Sequence, residues 1–526
     1  MSVFIDAVSE RNRAQTLWIN CSDVFFRQHR FKLFGFFFLQ SVVAKYPGQT
    51  IHLHCDDSHL ALTAREAVGV SVHHYGTVHP VSRALTRRLP AAVLAVKTWL
   101  RDAIVLIGTY RRERKIPDQR MDDESRTTLL VTTDRSAPWC GGDPGQHDRI
   151  WGTLGDEIKA DYGVLMVGSP GADPRAIHKR ATAIELLNSL PKLLGALLFR
   201  TNCLRVFFGF LFGSRCPQAY RSHLGFYTAP LFDDLMRQAP KWYACHVALA
   251  EFLQRHQQYH TLLYFGEFGG FGRAILLAAR NNRRAALAYA HGFYYEAHLQ
   301  LRFTARELGV FAQPDAYIVW SRQTLGIMKR NAKKLLPVCI AGQSRLHPPA
   351  ELPASRSKRG RIGILPSTAD SPSLMEYLES YASYFQRHRF MWKPHPTRPK
   401  TDDQSGQLSL ERFSGNGLDR FYDGIDCLIV GCSTAGAEAL LRGIPVIVAL
   451  EPVKWGANAV TVHAPDRGVY LAGTPEELQK ACDLYTNAPS PPLEWMQEEA
   501  KRYLGSFSAD RVVRLIQYHE RNSLRK

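Results

Sequence analysis

Two short stretches in the second half of the chain carry residue types that handle phosphate. The first is Lys393-Pro394-His395-Pro396, which closes the apolar run Phe390-Met391-Trp392. The prolines restrict the backbone on both sides of one imidazole and hold it at a strand's end, where it can donate to a phosphate oxygen. Lys393 and Arg398 add positive charge nearby. The second is Gly431-Cys432-Ser433-Thr434-Ala435-Gly436, which follows the strand-like Asp426 to Val430 and opens a helix carrying Glu438 and ending at Gly443. A helix start with small residues, two hydroxyls and free N–H groups suits an anion. Ordinary Ser/Thr capping is the plain alternative.

Other strand ends carry candidates of the same kind. Arg361 to Pro366 reads as a buried strand running into the hydroxyl-rich Ser367-Thr368-Ala369-Asp370-Ser371. In the first half, Thr261 to Phe265 is a strand followed by Gly266-Glu267-Phe268-Gly269-Gly270 and a helix from Arg273 to Arg280. The glycines let a ligand approach the backbone closely. His291 holds the equivalent place after the strand Ala285 to Ala290. A carboxylate and an imidazole at one edge can act as general base and substrate-binding group. Against this stand a Glu267 that caps the helix or pairs with Arg273, and a packed turn histidine at 291. The strand Leu129 to Thr133 leads into a loop rich in Gly, Pro and Asp that contains Asp134 and Asp143, weaker candidates that are also ordinary turn residues.

The elements that must position these groups alternate between strand and helix, which predicts an α/β fold with parallel sheets. At 526 residues the chain exceeds one ordinary core. A Pro-, Ser- and Arg-rich stretch over 348–360 marks a linker, so the expected division is 1–335, 336–500 and a C-terminal helix in 501–526 that packs back on the first unit. The segment Leu17-Trp18-Ile19 reads as a strand and the Phe-rich 33–43 as a core helix. Residues 81–115 form a long basic helix, started or broken by Pro90, that either lies on an anionic membrane or shows a solvated basic face. The apolar, arginine-flanked 181–220 reads as helical, with its Phe-rich end favouring a membrane interface. The longest apolar runs, Leu33 to Ala44 and Val206 to Gly213, fall short of the ~20 residues a bilayer span needs.

Composition narrows the chemistry. With 45% hydrophobic and 22% charged residues the chain is globular, and 66 Lys plus Arg against 48 Asp plus Glu give a net charge of +18, which favours an anionic partner. The ten cysteines include no C-x-x-C pair, so neither a zinc site nor a disulfide framework is expected, and the charged opening Met1 to Gln15 reads as no secretory signal. A cytoplasmic protein, peripheral on the inner membrane, is the expectation. There is no G-x-x-x-x-G-K-S/T loop, and the glycines over 266–272 have the wrong spacing for a dinucleotide fingerprint.

Lys393-Pro394-His395-Pro396, the Ser433-Thr434 helix start and Glu438-Ala439-Leu440-Leu441-Arg442-Gly443-Ile444-Pro445 together resemble the nucleotide half of GT-B glycosyltransferases. More narrowly they resemble bacterial enzymes that use CMP-activated sugars: sialyltransferases, polysialyltransferases and β-Kdo transferases of surface polysaccharides. Glu267 to Ala274 with Ala290-His291-Gly292 also resembles surface-carbohydrate biosynthesis proteins in which a strand-end glutamate precedes an Arg-Ala helix. The resemblance implies two Rossmann-type domains facing across a cleft and an inverting transfer from a CMP-linked donor to a glycan or lipid-linked glycan. His395, Ser433 and Thr434 would hold the phosphate, with Lys393, Ser367, Thr368 and Glu438 beside it. Glu267, or next Asp143, would be the base, and His291 and Arg273 would bind substrate. A metal is not required by this chemistry, because histidine, lysine and a helix terminus can supply the positive field; no cofactor beyond the donor is expected, and the absence of an extended basic and aromatic ladder counts against a nucleic-acid partner. The sequence departs from the sialyltransferase pattern at Asp56-Asp57-Ser58, where an acidic pair should precede glycine, and Cys432 stands where some relatives carry a second serine. Kdo or another CMP-linked acid sugar is therefore at least as well supported as sialic acid. A CDP-glycerol or CDP-ribitol transferase and a non-catalytic docking protein remain as alternatives.

Overall fold

The structure is a computed structural model. It describes Lys45 and residues 52–55, 71–74, 84–85, 87–114, 126–132, 154, 162–167, 181–184, 186–213, 228, 231–265, 270–290, 292, 312–331, 337–344, 360–367, 371–394, 408–413, 418–451 and 460–523. The expected strand at 17–19 and Phe-rich helix over 33–43 lie outside the described residues.

A parallel pair comes first, β1 (His52–Cys55) with β2 (Ser71–His74). Helix α1 (Arg88–Glu113) follows, with Pro90 in its first turn, where no intrahelical bond is lost. Next are β3 (Thr128–Thr132), β4 (Tyr162–Val167), β5 (Ala181–Ile184), α2 (Leu190–Phe212), a π-helical turn at Asp233–Gln238, α3 (Ala239–Arg255), β6 (Thr261–Phe265), α4 (Gly270–Asn281), β7 (Ala285–Tyr289), β8 (Ala316–Val319), α5 (Arg322–Asn331) and β9 (Val338–Ile340). These strands form a seven-stranded sheet in the order β5-β4-β3-β6-β7-β8-β9, every pair parallel.

The second sheet is built from β10 (Arg361–Ile364), α6 (Ser371–Ser380), β11 (Arg389–Trp392), β12 (Leu410–Arg412), α7 (Asp419–Asp423), β13 (Cys427–Val430), α8 (Ala435–Leu441), β14 (Val446–Ala449) and β15 (Val469–Ala472). Helices α9 (Pro475–Asn487), α10 (Leu493–Leu504) and α11 (Ala509–Ser523) end the described chain. Its order is β12-β11-β10-β13-β14-β15, again all parallel. Counted from its own first strand, each sheet runs 3-2-1-4-5-6, the Rossmann order, and the first adds a seventh strand at its far edge. Central strands such as Leu-Ile-Val-rich β13 and β14 are buried along their whole length, because helices cover both faces of a parallel sheet. The expected α/β class and pair of Rossmann-type sheets are both present.

Three expectations change. Residues 181–184 are a strand at the edge of the first sheet, since four residues are too few for periodicity to separate strand from helix. β9 pairs with β8, so 338–340 belongs to the first sheet and not to a unit starting at 336. Helix α2 is longer than its uninterrupted apolar run suggests: it continues through Arg200 and Arg205, and by length and composition alone it could cross a membrane. It instead packs on α1, α3 and the π turn. Phe207 and Leu211 are buried, Phe199 stacks on Tyr243 at 4.3 Å and Phe207 meets Phe232 edge-on at 5.7 Å, while Phe208 and Phe210 are partly buried and Phe212 is exposed.

Two charged side chains of α2 are enclosed in that packing. Arg200 pairs with Asp102 of α1 and donates to the Met236 carbonyl at 2.7 Å. Burial lowers its pKa, and Asp102 opposes that shift. Lys192 reaches Asn188 at 2.8 Å and Glu251 of α3 at 3.3 Å.

The C-terminal segment returns to the first sheet. Val512 and Ile516 of α11 sit in one cluster with Leu130, Leu263, Leu287 and Ile318. The crossing is tight. Gly342 and Gly505 both have positive φ, and a Cβ on Gly505 would lie 1.9 Å from the Trp320 carbonyl oxygen. Just beyond, Ser508 donates to the Ala341 carbonyl at 2.8 Å, and Gln323 reaches Thr461 at 3.1 Å.

Asp102→Ala strands a buried guanidinium and is expected to cost about 3 kcal/mol, while Arg101→Ala, at an exposed partner of the same carboxylate, costs under about 1; denaturant unfolding of both variants checks the difference. Gly505→Ala must adopt an unfavourable φ and collide with backbone, so a destabilisation of more than about 1 kcal/mol is expected in the same measurement.

Candidate functional site

In an open parallel sheet, ligands bind beyond the carboxyl ends of the strands where the order reverses. In the second sheet that point lies between β10 and β13, paired through Ile364 and Ile429. The chain leaves β10 through Leu365, whose amide still bonds the Ile429 carbonyl at 3.2 Å, and reaches Ser367. It leaves β13 through Gly431 and reaches Cys432, Ser433 and Thr434. Ser367 Oγ and Cys432 Sγ are 2.9 Å apart, so the two strand ends touch. On the other side of β10, the Lys393 amide bonds the Ile364 carbonyl at 3.1 Å. Three of the sequence candidates, Ser367, Lys393 and Ser433, thus stand on strand ends that are neighbours in the sheet, with Thr434 beside them. His395 and Thr368 lie outside the described residues.

Helix α8 starts differently from the expectation of free N–H groups. Ser433 Oγ accepts from the Ala435 amide at 3.3 Å, the Gly436 amide bonds the Ser433 carbonyl at 3.4 Å, and the Ala437 amide bonds the Thr434 carbonyl at 3.1 Å. The first turn therefore closes on its own chain, and hydroxyls rather than helix amides are what this end offers. Gly436 keeps the helix close to the sheet, because a Cβ there would meet Val430, Val446 and Val460 at 3.2–3.4 Å. The Tyr422 hydroxyl donates to the Ala435 carbonyl at 3.2 Å and holds the start in place. Glu438, in the first turn, is 6% exposed.

Lys393 is half-buried, with its ammonium 5.0 Å from the centre of the Phe413 ring. Burial lowers its pKa. Phe413 is brought there by β12, since its amide bonds the Trp392 carbonyl at 2.8 Å. Sequence reasoning missed Phe413, and no local pattern marks it, because the partner is a short edge strand.

The first sheet reverses order between β3 and β6, paired through Val131 and Tyr264. Its described strands end there at Thr132 and Phe265. Asp143 and Glu267 follow these ends in sequence and lie outside the described residues, as does His291 after β7. Arg273 is described. It is 1% exposed, and its Nη1 donates to the Ala312 carbonyl at 2.5 Å. Arg280, one helical face along α4, donates to the Gln313 carbonyl. Both arginines tie α4 to the segment entering β8. Gly270 is likewise approached by a side chain of the protein: a Cβ on it would overlap the Trp242 indole at 1.9 Å. Among the described residues no group of three His, Cys, Asp or Glu side chains is placed to hold a metal ion.

No family model matches the chain, and no curated protein matches it. Solved structures do. A putative UDP-N-acetylglucosamine 2-epimerase from Listeria monocytogenes is 11% identical, with 75% of this chain and 96% of that one covered and a TM-score of 0.43. The UDP-GlcNAc 2-epimerase from Methanocaldococcus jannaschii is 8% identical over 74% and 99%, with a TM-score of 0.41. CalG4, the calicheamicin glycosyltransferase, is 12% identical over 75% and 98%, with a TM-score of 0.41. The strand orders give two Rossmann-type domains in series.

A ligand seated at the reversal in the second sheet would cover Cys432, which lies there beside Ser367. Alkylation of the folded protein followed by peptide mass spectrometry is expected to show Cys432 protected by a bound nucleotide, with Cys339, the other partly exposed cysteine among the described residues, labelled at an unchanged rate.

Proposed function

We propose that the chain is a glycosyltransferase that moves an acid sugar of the Kdo or sialic acid type from a CMP-linked donor to a glycan or lipid-linked glycan, with inversion at the anomeric carbon. The observation that carries this reading is the meeting of Ser367, Cys432 and Ser433 at the point where the second sheet reverses order. Hydroxyls there, with Lys393 on the neighbouring strand end, suit a phosphate. The His-Pro pattern at 395 and the resemblance to CMP-sugar enzymes support a cytidine monophosphate over other nucleotides.

In this mechanism the donor phosphate is held by Ser367, Thr368, Lys393, His395, Ser433 and Thr434. Glu267 takes the proton from the acceptor hydroxyl, with Asp143 as the second candidate. The hydroxyl oxygen attacks the anomeric carbon from the side opposite the phosphate. The bond from that carbon to the phosphate oxygen breaks, and its electron pair leaves with CMP. Charge developing on the departing phosphate is met by donors already in place. A net charge of +18 fits an anionic donor and an anionic acceptor, and a cytoplasmic protein has access to both.

A thermal-shift panel of CMP, CDP, UDP and GDP tests the donor. CMP is expected to raise the melting temperature most, by the equivalent of about 2.7 kcal/mol at a hundredfold excess over its Kd. A shift with UDP alone would replace CMP while keeping a nucleotide-sugar donor, a shift with CDP alone would favour polyol-phosphate transfer, and no shift with any of the four would remove the reading. Glu267→Gln is expected to abolish transfer and leave the CMP shift intact; undiminished turnover would sink its role as base.

A further inference from the structure

We propose that the exposed apolar face shared by α1 and α2 docks the protein on an anionic lipid bilayer, with both helices lying in the plane of the interface. This inference does not rest on the donor reading.

Helix α1 distributes its residues in the opposite sense to an ordinary surface helix. Toward the protein it buries small residues, Ala91, Ala92, Ala95, Thr98 and Ala103. Toward solvent it turns Leu89, Val93, Val96, Leu100, Ile104 and Ile107, spaced by three or four residues so that they stack along one face over about 27 Å. Leu89, Val93, Leu100 and Ile104 are 72, 62, 52 and 71% exposed. Packed beside it, α2 presents Leu190, Leu194, Leu198 and Phe212, again on one face. A contiguous apolar surface of this length on a soluble chain marks an interaction site.

Charge identifies the occupant. Arg88, Lys97, Arg101, Arg111, Arg112 and Arg205 are all exposed on these two helices. Of their two carboxylates, Asp102 is shared between the enclosed Arg200 and the exposed Arg101, and Glu113 is buried and accepts from the Leu187 amide at 2.8 Å. The two helices therefore give the aliphatic face a rim in which positive charge is in clear excess, the pattern that lies on anionic lipid. A groove of about 430 Å³ runs between the helices, lined by Ala92, Val93, Val96, Lys97, Leu100 and Phe208. Its walls suit a hydrocarbon segment, and Lys97 supplies the one ammonium that a lipid phosphate can meet. The enclosed Arg200 and Lys192 fix α2 to the protein, which keeps it lying on the bilayer and not crossing it.

Vesicle co-sedimentation of the full chain tests this. Vesicles of phosphatidylcholine with a third phosphatidylglycerol are expected to bind at least tenfold more tightly than phosphatidylcholine alone, with most of that difference lost in 0.5 M NaCl. Leu100→Glu with Ile104→Glu should reduce binding at least tenfold at an unchanged melting temperature, and Lys97→Glu with Arg111→Glu should remove the preference for anionic lipid. Trp495→Glu, an exposed aromatic on α10, should change neither. Absence of vesicle binding, equal binding to both lipids, or unchanged binding by the Leu100→Glu, Ile104→Glu variant would overturn the proposal. So would a lipid-free dimer that this variant dissociates, since the face would then be covered by a second copy. The thermal-shift response to CMP, measured on the same variants, separates failure here from failure of the donor reading.

Discussion

A parallel strand pair cannot be joined by a tight turn, so every connection in both sheets must cross a face. That single constraint accounts for most of the molecule. Crossovers cover both faces, which is why central strands such as β7, β13 and β14 are buried from end to end. When the crossovers change direction about the first strand of each sheet, the chain leaves neighbouring strands toward opposite sides and a crevice opens between them. Ser367 and Cys432 meet because β10 and β13 are the pair at which this happens. Chemistry at that point needs no special loop, only residues with hydroxyls or charge at the positions where the strands stop.

The two sheets are not independent beads. α10 packs on α8 of the second sheet and on α5 of the first unit, and the chain then passes Gly505 to reach the first sheet with α11. The passage is narrow enough that Gly342 and Gly505 approach backbone directly, and no side chain fits between them. Leu130, Leu263 and Ile318 are covered by Val512 and Ile516, so the last helix completes a core begun nearly four hundred residues earlier. Burial of this kind couples the stability of the first sheet to a segment that follows the second.

Strands that are buried on both faces were legible in the sequence, because a β-branched run with no polar interruption has few other uses; Cys427–Val430 and Val446–Ala449 are examples. The edges were not. β12 is Leu410-Glu411-Arg412, partly exposed throughout, and it is a strand only because Phe390 and its neighbours pair with it. The strand ends carrying Ser367, Lys393 and Ser433 were legible as places, since Rossmann order puts ligands there. Individual roles were less so. Arg273 beside a glycine loop has the composition of a substrate-binding residue, and nothing in the sequence announces its bond to the Ala312 carbonyl. Gly270 has the composition of a ligand's approach, yet the group that approaches it is Trp242, from a helix that ends fifteen residues before α4 begins.

The α1 helix shows why the orientation of an amphipathic helix is the last thing a sequence yields. Periodicity reports that Leu89, Val93, Val96, Leu100, Ile104 and Ile107 share a face, and the ordinary inference is that such a face is inside. Which face goes inward is decided by the partner. Here α1 must pass close to α2 to let Asp102 reach the enclosed Arg200, and alanines at 91, 92 and 95 permit that approach where leucines would hold the helices apart. Once the small face is spent on close packing, the large aliphatic face is left outward by geometry. The buried ion pair and the exposed stripe are therefore two consequences of one choice of packing face.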